Sequence, residues 1–181
     1  EYFPWDPKGY KLVLLNSKVK HELVGSPYND RRNSCENVVK AMNQHFTDRK
    51  FETLRDATWE DLEAVKGQVS AEDYKRAHFV LGEKDRVLAV CEALEKGNYD
   101  VVGQKMYETH EGLSKEYEVS CEELDYLNEL AKENGVTGSR IMGGGFGGCT
   151  INLVKEDVYD KFIADAKVKF AAKYGHEPSV I

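Results

Sequence analysis

The sequence predicts an α+β fold with a ferredoxin-like βαββαβ core, whose first helical position is expanded into a bundle of about four or five helices. The prediction rests on the order of apolar patterns, which gives a strand, a run of helices, two strands, a helix and a last strand. The composition agrees, because 181 residues with 41% hydrophobic and 31% charged side chains can bury about 70% of the unfolded surface. No Pro-, Gly- or Ser-rich linker divides the chain, so residues 1–181 are expected to form one domain.

The first predicted element is a strand. Residues 10–16 form a short, β-rich apolar run bounded by Gly9 and by Asn16-Ser17, which is typical of a buried strand. A second stretch, residues 19–24, is expected to pair near it.

The next element is a helix over residues 29–46, where apolar and small side chains recur at helical spacing. Asn29 or Asp30 is placed to cap its N-terminus. This start would put Arg31 and Arg32 in the first turn, where a cation opposes the helix dipole by about a few tenths of a kcal/mol. A compensating partner is therefore expected for these two arginines.

Four more helices are predicted before the sequence returns to strands. The first is capped by Thr58, with Asp61 three residues later. The second spans residues 70–95 and has a weak point at Gly82. The third spans residues 99–114, and the fourth spans residues 121–134 and is capped by Ser120. The inward face of the longest comprises Tyr74, Ala77, His78, Leu81, Leu88, Cys91 and Leu94.

The C-terminal part contains the remaining elements of the core. Strands are predicted at residues 138–142, 149–154 and 178–181, and a helix at 156–173. The inward side chains of that helix are expected to be Val158, Phe162, Ala166, Val168 and Phe170.

Charge and residue counts exclude several classes of protein. A net charge of −7 repels phosphate backbones, so nucleic acid is not an expected partner. No apolar run approaches the ~18 residues of a membrane span. The five histidines and four cysteines form no metal-ligand spacing, so no metal site is expected, and thiols without a C-x-x-C pair suit the reducing cytoplasm. The chain begins with Glu1 and carries no targeting pattern, and we expect it to be part of a longer protein.

The glycine-rich segment Gly143-Gly144-Gly145-Phe146-Gly147-Gly148 contains five of the 15 glycines. Ordering each glycine costs roughly 0.5–1 kcal/mol more than ordering alanine, and a plain hairpin turn needs only one or two of them. A flexible hairpin tip remains the structural alternative. The composition favours close approach of the backbone to a ligand, most naturally a phosphate held by N–H groups.

The flanks of this segment exclude the common phosphate-binding loops. Gly143, Gly145 and Gly148 match G-x-G-x-x-G, but a dinucleotide-binding loop must open a helix, and residues 149–154 are predicted to be a strand. No Gly-Lys-Ser/Thr triplet is present, and the protein-kinase motifs are missing.

Residues 143–149 closely resemble the third signature motif of the GHMP small-molecule kinases. Two further blocks resemble the galactokinase family within that superfamily. They are Asn16-Ser17-Lys18-Val19-Lys20-His21-Glu22-Leu23 followed by Ser26-Pro27-Tyr28-Asn29-Asp30-Arg31-Arg32-Asn33-Ser34-Cys35-Glu36, and Arg76-Ala77-His78-Phe79-Val80 with Glu83 and Arg86. The resemblance covers nearly the whole chain.

This resemblance implies a C-terminal part of a galactokinase, which transfers the γ-phosphoryl group of ATP, with Mg²⁺, to D-galactose to give galactose 1-phosphate. The first two family motifs and the catalytic aspartate have no counterpart in the sequence, so no catalytic residue is expected in this chain and ATP and Mg²⁺ are expected to be bound mainly by an N-terminal domain. That domain, galactose and ATP are the implied partners.

Four assignments accompany the resemblance. Tyr28 falls at the family's sugar-contacting tyrosine, whose structural alternative is an ordinary half-buried side chain. Residues 143–148 would close over the sugar and phosphates. Arg31 and Arg32 are expected to pair with carboxylates, and His78, Glu83 and Arg86 to form a polar network.

Three other functions stay open. Within the family they are a galactokinase-like sugar sensor and an N-acetylgalactosamine kinase. From another class, a non-catalytic binding or interaction domain could use the same glycine-rich hairpin.

Overall fold

The structure is a computed structural model that describes residues 2–3, 5–20 and 26–181. Its strands are β1 (Tyr10–Asn16), β2 (Gly138–Met142), β3 (Cys149–Lys155) and β4 (Ser179–Val180). Its α-helices are α1 (Ser26–His45), α2 (Trp59–Ala64), α3 (Ala71–Glu95), α4 (Tyr99–Lys115), α5 (Glu122–Glu133) and α6 (Glu156–Tyr174), with 3₁₀ turns at Leu54–Asp56 and Lys66–Gln68.

The four described strands form one antiparallel sheet in the order β2-β3-β1-β4. This order is that of a ferredoxin-like βαββαβ core, and five helices occupy the first helical position between β1 and β2. The predicted fold class is confirmed. Since β1 pairs with β3 over its whole length, from Tyr10–Lys155 to Asn16–Cys149, the two ends of the chain are held together by the central strands.

One face of the sheet is covered by α5 and α6. Val13 and Leu15 of β1 and Val154 of β3 pack there against Phe162 and Phe170 of α6. A second core lies among α1, α2 and α3, and a smaller third one joins α3 and α4 to Leu153 on the opposite face of the sheet. The alternation of inward and outward side chains along β1 and β3 therefore divides the domain into layers.

The start of α1 differs from the prediction. The helix begins at Ser26, so Asn29 and Asp30 lie inside it and neither caps it, and Arg31 and Arg32 fall in its second turn. Pro27 explains the earlier start, because proline is favoured in the first turn, where its missing N–H costs nothing. Residues 19–20 are not in a strand, and residues 21–24 of that predicted strand lie outside the described residues.

Other details were also wrong. Ser120 does not cap α5; its hydroxyl donates to Asp125, and Cys121 occupies the cap position without a side-chain hydrogen bond. Leu88 and Val168 were expected to point inward, but they are 65% and 69% exposed. Arg76, Phe79 and Ala93 of α3 are buried instead, because the first half of this helix packs against α1 and its second half against α4.

Candidate functional site

The glycine-rich loop, residues 143–148, connects β2 to β3 and follows an unusual backbone path. Gly143, Gly145 and Gly148 have φ values of 89°, 83° and 85°, and Phe146 has a φ of 62°. Residues with a side chain rarely adopt this left-handed region. The backbone thus turns through a series of left-handed residues where a tight hairpin would need one or two.

The segment after β1 holds the C-terminal side of this loop. The backbone N–H and the hydroxyl of Ser17 both donate to the carbonyl oxygen of Gly148, at 2.9 Å and 2.7 Å. The N–H of Gly148 donates to the carbonyl oxygen of Val19 at 3.1 Å. Residues 17–19, which belong to the first galactokinase-like block, are therefore joined directly to the glycine-rich loop.

The connection between α4 and α5 holds the other side. The N–H of Phe146 donates to the carbonyl oxygen of Val119 at 2.6 Å. A Cβ placed on Gly145 would collide with that same oxygen, and one placed on Gly147 would lie 2.5 Å from the carbonyl oxygen of Val19. Two of the glycines are thus required by the packing of the protein on itself.

The exposed part of the loop is its N-terminal end. Gly143 and Gly144 are exposed, whereas Gly145 and Gly147 are buried. A Cβ on Gly143 would meet no atom within 4 Å. Gly143 and Gly144 are consequently the members of the loop whose backbone a ligand can approach from solvent.

The first turns of α1 lie beside the loop. Arg31 donates from Nε to the carbonyl oxygen of Tyr117 at 2.8 Å and from Nη2 to that of Glu118 at 2.6 Å, and its guanidinium lies 5.7 Å from the centre of the Phe146 ring. Tyr28 precedes Arg31 by three residues, which places both on one side of the helix. Tyr28 is 56% exposed, so its phenol is accessible about one helical turn before the arginine that contacts Phe146.

The expected arginine partners are only partly as predicted. Arg32 pairs with the carboxylate of Glu36 on the surface of α1, at 3.0 Å. Arg31 instead donates to backbone carbonyls, that of Pro27 on its own helix at 3.3 Å and those of Tyr117 and Glu118 on the α4–α5 connection. This side chain therefore joins two elements that sequence spacing does not relate.

His78, Glu83 and Arg86 take part in two separate groups of polar side chains. Glu83 accepts hydrogen bonds from Arg86 at 2.9 Å and from Thr109 at 2.9 Å, and it lies 3.6 Å from Arg140 of β2. Burial lowers the pKa of Arg140. His78 instead contacts the carboxylate of Glu116 just beyond α4. The predicted network is thus divided between β2 and the α4–α5 connection.

A polar cluster that the sequence did not predict surrounds Asp125 on α5. Its carboxylate accepts from Ser114 at 3.0 Å and from Ser120 at 2.7 Å, and it lies 2.8 Å from the buried His110. Burial by itself would raise the pKa of Asp125, but these hydrogen bonds outweigh burial and lower it. The cluster fixes both ends of the α4–α5 connection. His110 gave no signal because its residue type and position in a helical stripe suit an ordinary core histidine.

Within the described part of the chain, no three His, Cys, Asp or Glu side chains come together in a way that could hold a metal ion. None of the helices that the structure describes is long and apolar enough to cross a membrane.

Comparison with known proteins finds relatives that match nearly the whole chain. The family model described as GHMP kinases C terminal matches residues 91–168. The galactokinase of Thermotoga maritima is 38% identical over 176 residues, which cover 97% of this chain and 47% of that protein. The human galactokinase is 44% identical over 151 residues, which cover 83% of this chain and 36% of that protein.

A solved structure shows the same fold. The structure of Lactococcus lactis galactokinase complexed with galactose superposes with a TM-score of 0.89 at 28% identity, over 98% of this chain and 46% of that one. Fold and sequence together define a C-terminal domain of the GHMP kinase superfamily. Within it the chain belongs to the galactokinase family, as its C-terminal part. The chain spans about half the length of the curated relatives it matches.

A pair of alanine substitutions separates the packing role of the glycines from their backbone conformation. Gly143→Ala and Gly145→Ala share the same left-handed penalty, about 1–2 kcal/mol, since their φ values are 89° and 83°. Only Gly145→Ala also drives a Cβ into Val119, which should add about 1–3 kcal/mol of overpacking. Urea unfolding should therefore show a larger loss of stability for Gly145→Ala. Equal losses would contradict the close contact.

The Asp125 cluster should stabilise the fold in a pH-dependent way. Because the folded-state pKa of Asp125 is lowered from the ordinary value of 3.8, its contribution is present above that value and lost as pH falls through the folded pKa. The difference in unfolding free energy between the wild type and Asp125→Asn should thus be larger at about pH 6 than near pH 3. Asp160→Asn, on an exposed position of α6, is the control. A difference that stays constant with pH would contradict the role assigned to the carboxylate.

Proposed function

We propose that this chain is the C-terminal domain, over residues 1–181, of a galactokinase that transfers the γ-phosphoryl group of ATP to the anomeric hydroxyl of D-galactose. The observation that carries the proposal is the placement of the glycine-rich loop between residues 17–19 and 117–119, with the turn of α1 that bears Tyr28 beside it. The identity to known galactokinases and the likeness to the Lactococcus lactis enzyme complexed with galactose support it.

The residues of this chain would contribute binding and orientation. Phosphoryl transfer depends mainly on the positioning of its reactants and on stabilisation of charge. The exposed phenol of Tyr28 can donate a hydrogen bond to a sugar hydroxyl or accept one. Gly143 and Gly144, exposed and without side chains, let their backbone approach the sugar or a phosphate.

The remaining machinery is assigned to another part of the longer protein. No catalytic base is proposed in this chain. Mg²⁺ is assigned with ATP to the N-terminal domain, as the family resemblance implies, and no step is derived through the ion. We place the protein in the cytoplasm, since Cys35, Cys91, Cys121 and Cys149 are all free thiols and suit a reducing compartment.

An exposed apolar face of the sheet is a suitable docking surface for the other part of the longer protein. On the face opposite α5 and α6, β1 presents the exposed Leu12, and the exposed Met142 of β2 and Ile181, which pairs with Leu14, lie on the same face. Val87 of α3, also exposed, adjoins this face through a crevice that it lines with Arg140. Since the relatives are about twice as long as this chain, we assign this face to the N-terminal domain, whose docking would remove these side chains from water.

The proposed activity is tested by coupling ADP formation to sugar phosphorylation. The full-length protein should release ADP in the presence of galactose and ATP, whereas the isolated chain should match the enzyme-free blank because it lacks a nucleotide loop and a base. Galactose-dependent turnover by the isolated chain would contradict the assignment of the catalytic base and the nucleotide loop to another part of the protein. Turnover of N-acetylgalactosamine alone would favour an N-acetylgalactosamine kinase. Sugar binding without turnover would favour a sugar sensor, and the absence of sugar binding would favour an interaction domain.

Tyr28→Phe in the full-length protein should weaken galactose binding and leave ATP binding nearly unchanged. The loss of one neutral hydrogen bond corresponds to about 0.5–1.5 kcal/mol, or about a two- to tenfold rise in the KM for galactose. Tyr159→Phe is the matched control, because this tyrosine lies on α6 with its ring beneath Lys11. A raised KM for ATP beside an unchanged KM for galactose would remove Tyr28 from the sugar site.

A further inference from the structure

Residues Glu116–Val119, which we call the strap, follow α4 and fold back on its end. The N–H groups of Glu116 and Tyr117 both donate to the carbonyl oxygen of Gly112 at 2.9 Å, and the N–H of Val119 donates to that of Leu113 at 2.9 Å. Glu118 has a φ of 55°, which a non-glycine residue rarely adopts without support from its surroundings. The strap is therefore a defined turn.

Side chains of the strap attach it to α3. The carboxylate of Glu118 contacts the ammonium group of Lys75, and the carboxylate of Glu116 contacts the ring of His78. Lys75 and His78 are three residues apart and so lie on one side of α3. The ring of Tyr117 packs against Phe79 of the same helix, with 5.1 Å between ring centres.

The backbone of the strap attaches it to the functional site. Three successive carbonyl oxygens accept hydrogen bonds from other elements. Those of Tyr117 and Glu118 accept from Arg31 of α1, and that of Val119 accepts from the N–H of Phe146 in the glycine-rich loop. The strap thus joins α3, by its side chains, to α1 and the loop, by its main chain.

We propose that Lys75, Glu118 and Arg31 are positioning residues that hold the glycine-rich loop in place through the strap. Of these three, Arg31 is the one whose side chain contacts both the strap and the ring of Phe146. Lys75 fixes the strap from α3, where its pair with Glu118 is about half-exposed. The effect of these residues on turnover rests on the proposed function, whereas their effect on the loop does not.

Lys75→Met in the full-length protein tests the proposal, because methionine keeps much of the aliphatic stem and removes the ion pair. Amide hydrogen exchange of the peptide over residues 143–149 should become about two- to fivefold faster, the range expected for one partly exposed ion pair. The kcat/KM for galactose should fall by a similar factor. Lys75→Arg should restore both values, because it restores the charge that pairs with Glu118.

Lys169→Met is the matched control. The ammonium group of Lys169 pairs with Glu133 of α5 and Asp165 of α6 at 3.2 Å and 3.3 Å, remote from the strap. Its loss should leave exchange of the loop unchanged. Faster exchange in both variants, or in neither, would overturn the positioning role. Faster exchange in Lys75→Met alone, with unchanged kinetic constants, would support the positioning of the loop by the strap. The same result would refute the proposed role of the loop in substrate binding.

Discussion

The contact between the carbonyl oxygen of Val119 and the backbone of Gly145 and Phe146 is the constraint on which the candidate site depends. One hydrogen bond fixes the loop to this oxygen, and the space between them is too small for a Cβ on Gly145. The same loop is fixed from the other side by Ser17. Since residues 17, 119 and 146 are far apart in sequence, the loop acquires its shape only when the non-local contacts of the fold have formed.

This constraint separates the glycines that close packing requires from those that it does not require. Gly145 and Gly147 allow the loop to pass close to Val119 and Val19, so they would be needed even in a protein that bound nothing there. The exposed Gly143 has no such packing reason, because a Cβ on it would meet no atom within 4 Å. The glycine-rich composition alone could not make this distinction, because composition does not record which neighbours a backbone approaches.

The sequence predicted the sheet well and the helix contacts less well. The bounds of β1 and β2 follow from apolar runs ended by turn residues. The burial of Arg76 could not be predicted, because it depends on Ser34 and Glu72, which bind its guanidinium from two helices. The strap has no periodic pattern, so its contacts with Arg31 and Lys75 could be known only from the structure.

For the proposed function, a loop held by hydrogen bonds is a physical advantage, because phosphoryl transfer depends on the orientation of its reactants. A glycine-rich segment free in solution would have to lose its backbone entropy when a ligand binds. The bonds from Ser17, Phe146 and Gly148 order the loop during folding instead, so that cost is met by the stability of the whole domain. In the proposed function, the exposed Gly143 and Gly144 would then present their backbone to a ligand with little further loss of entropy, which is the preorganisation that phosphoryl transfer requires.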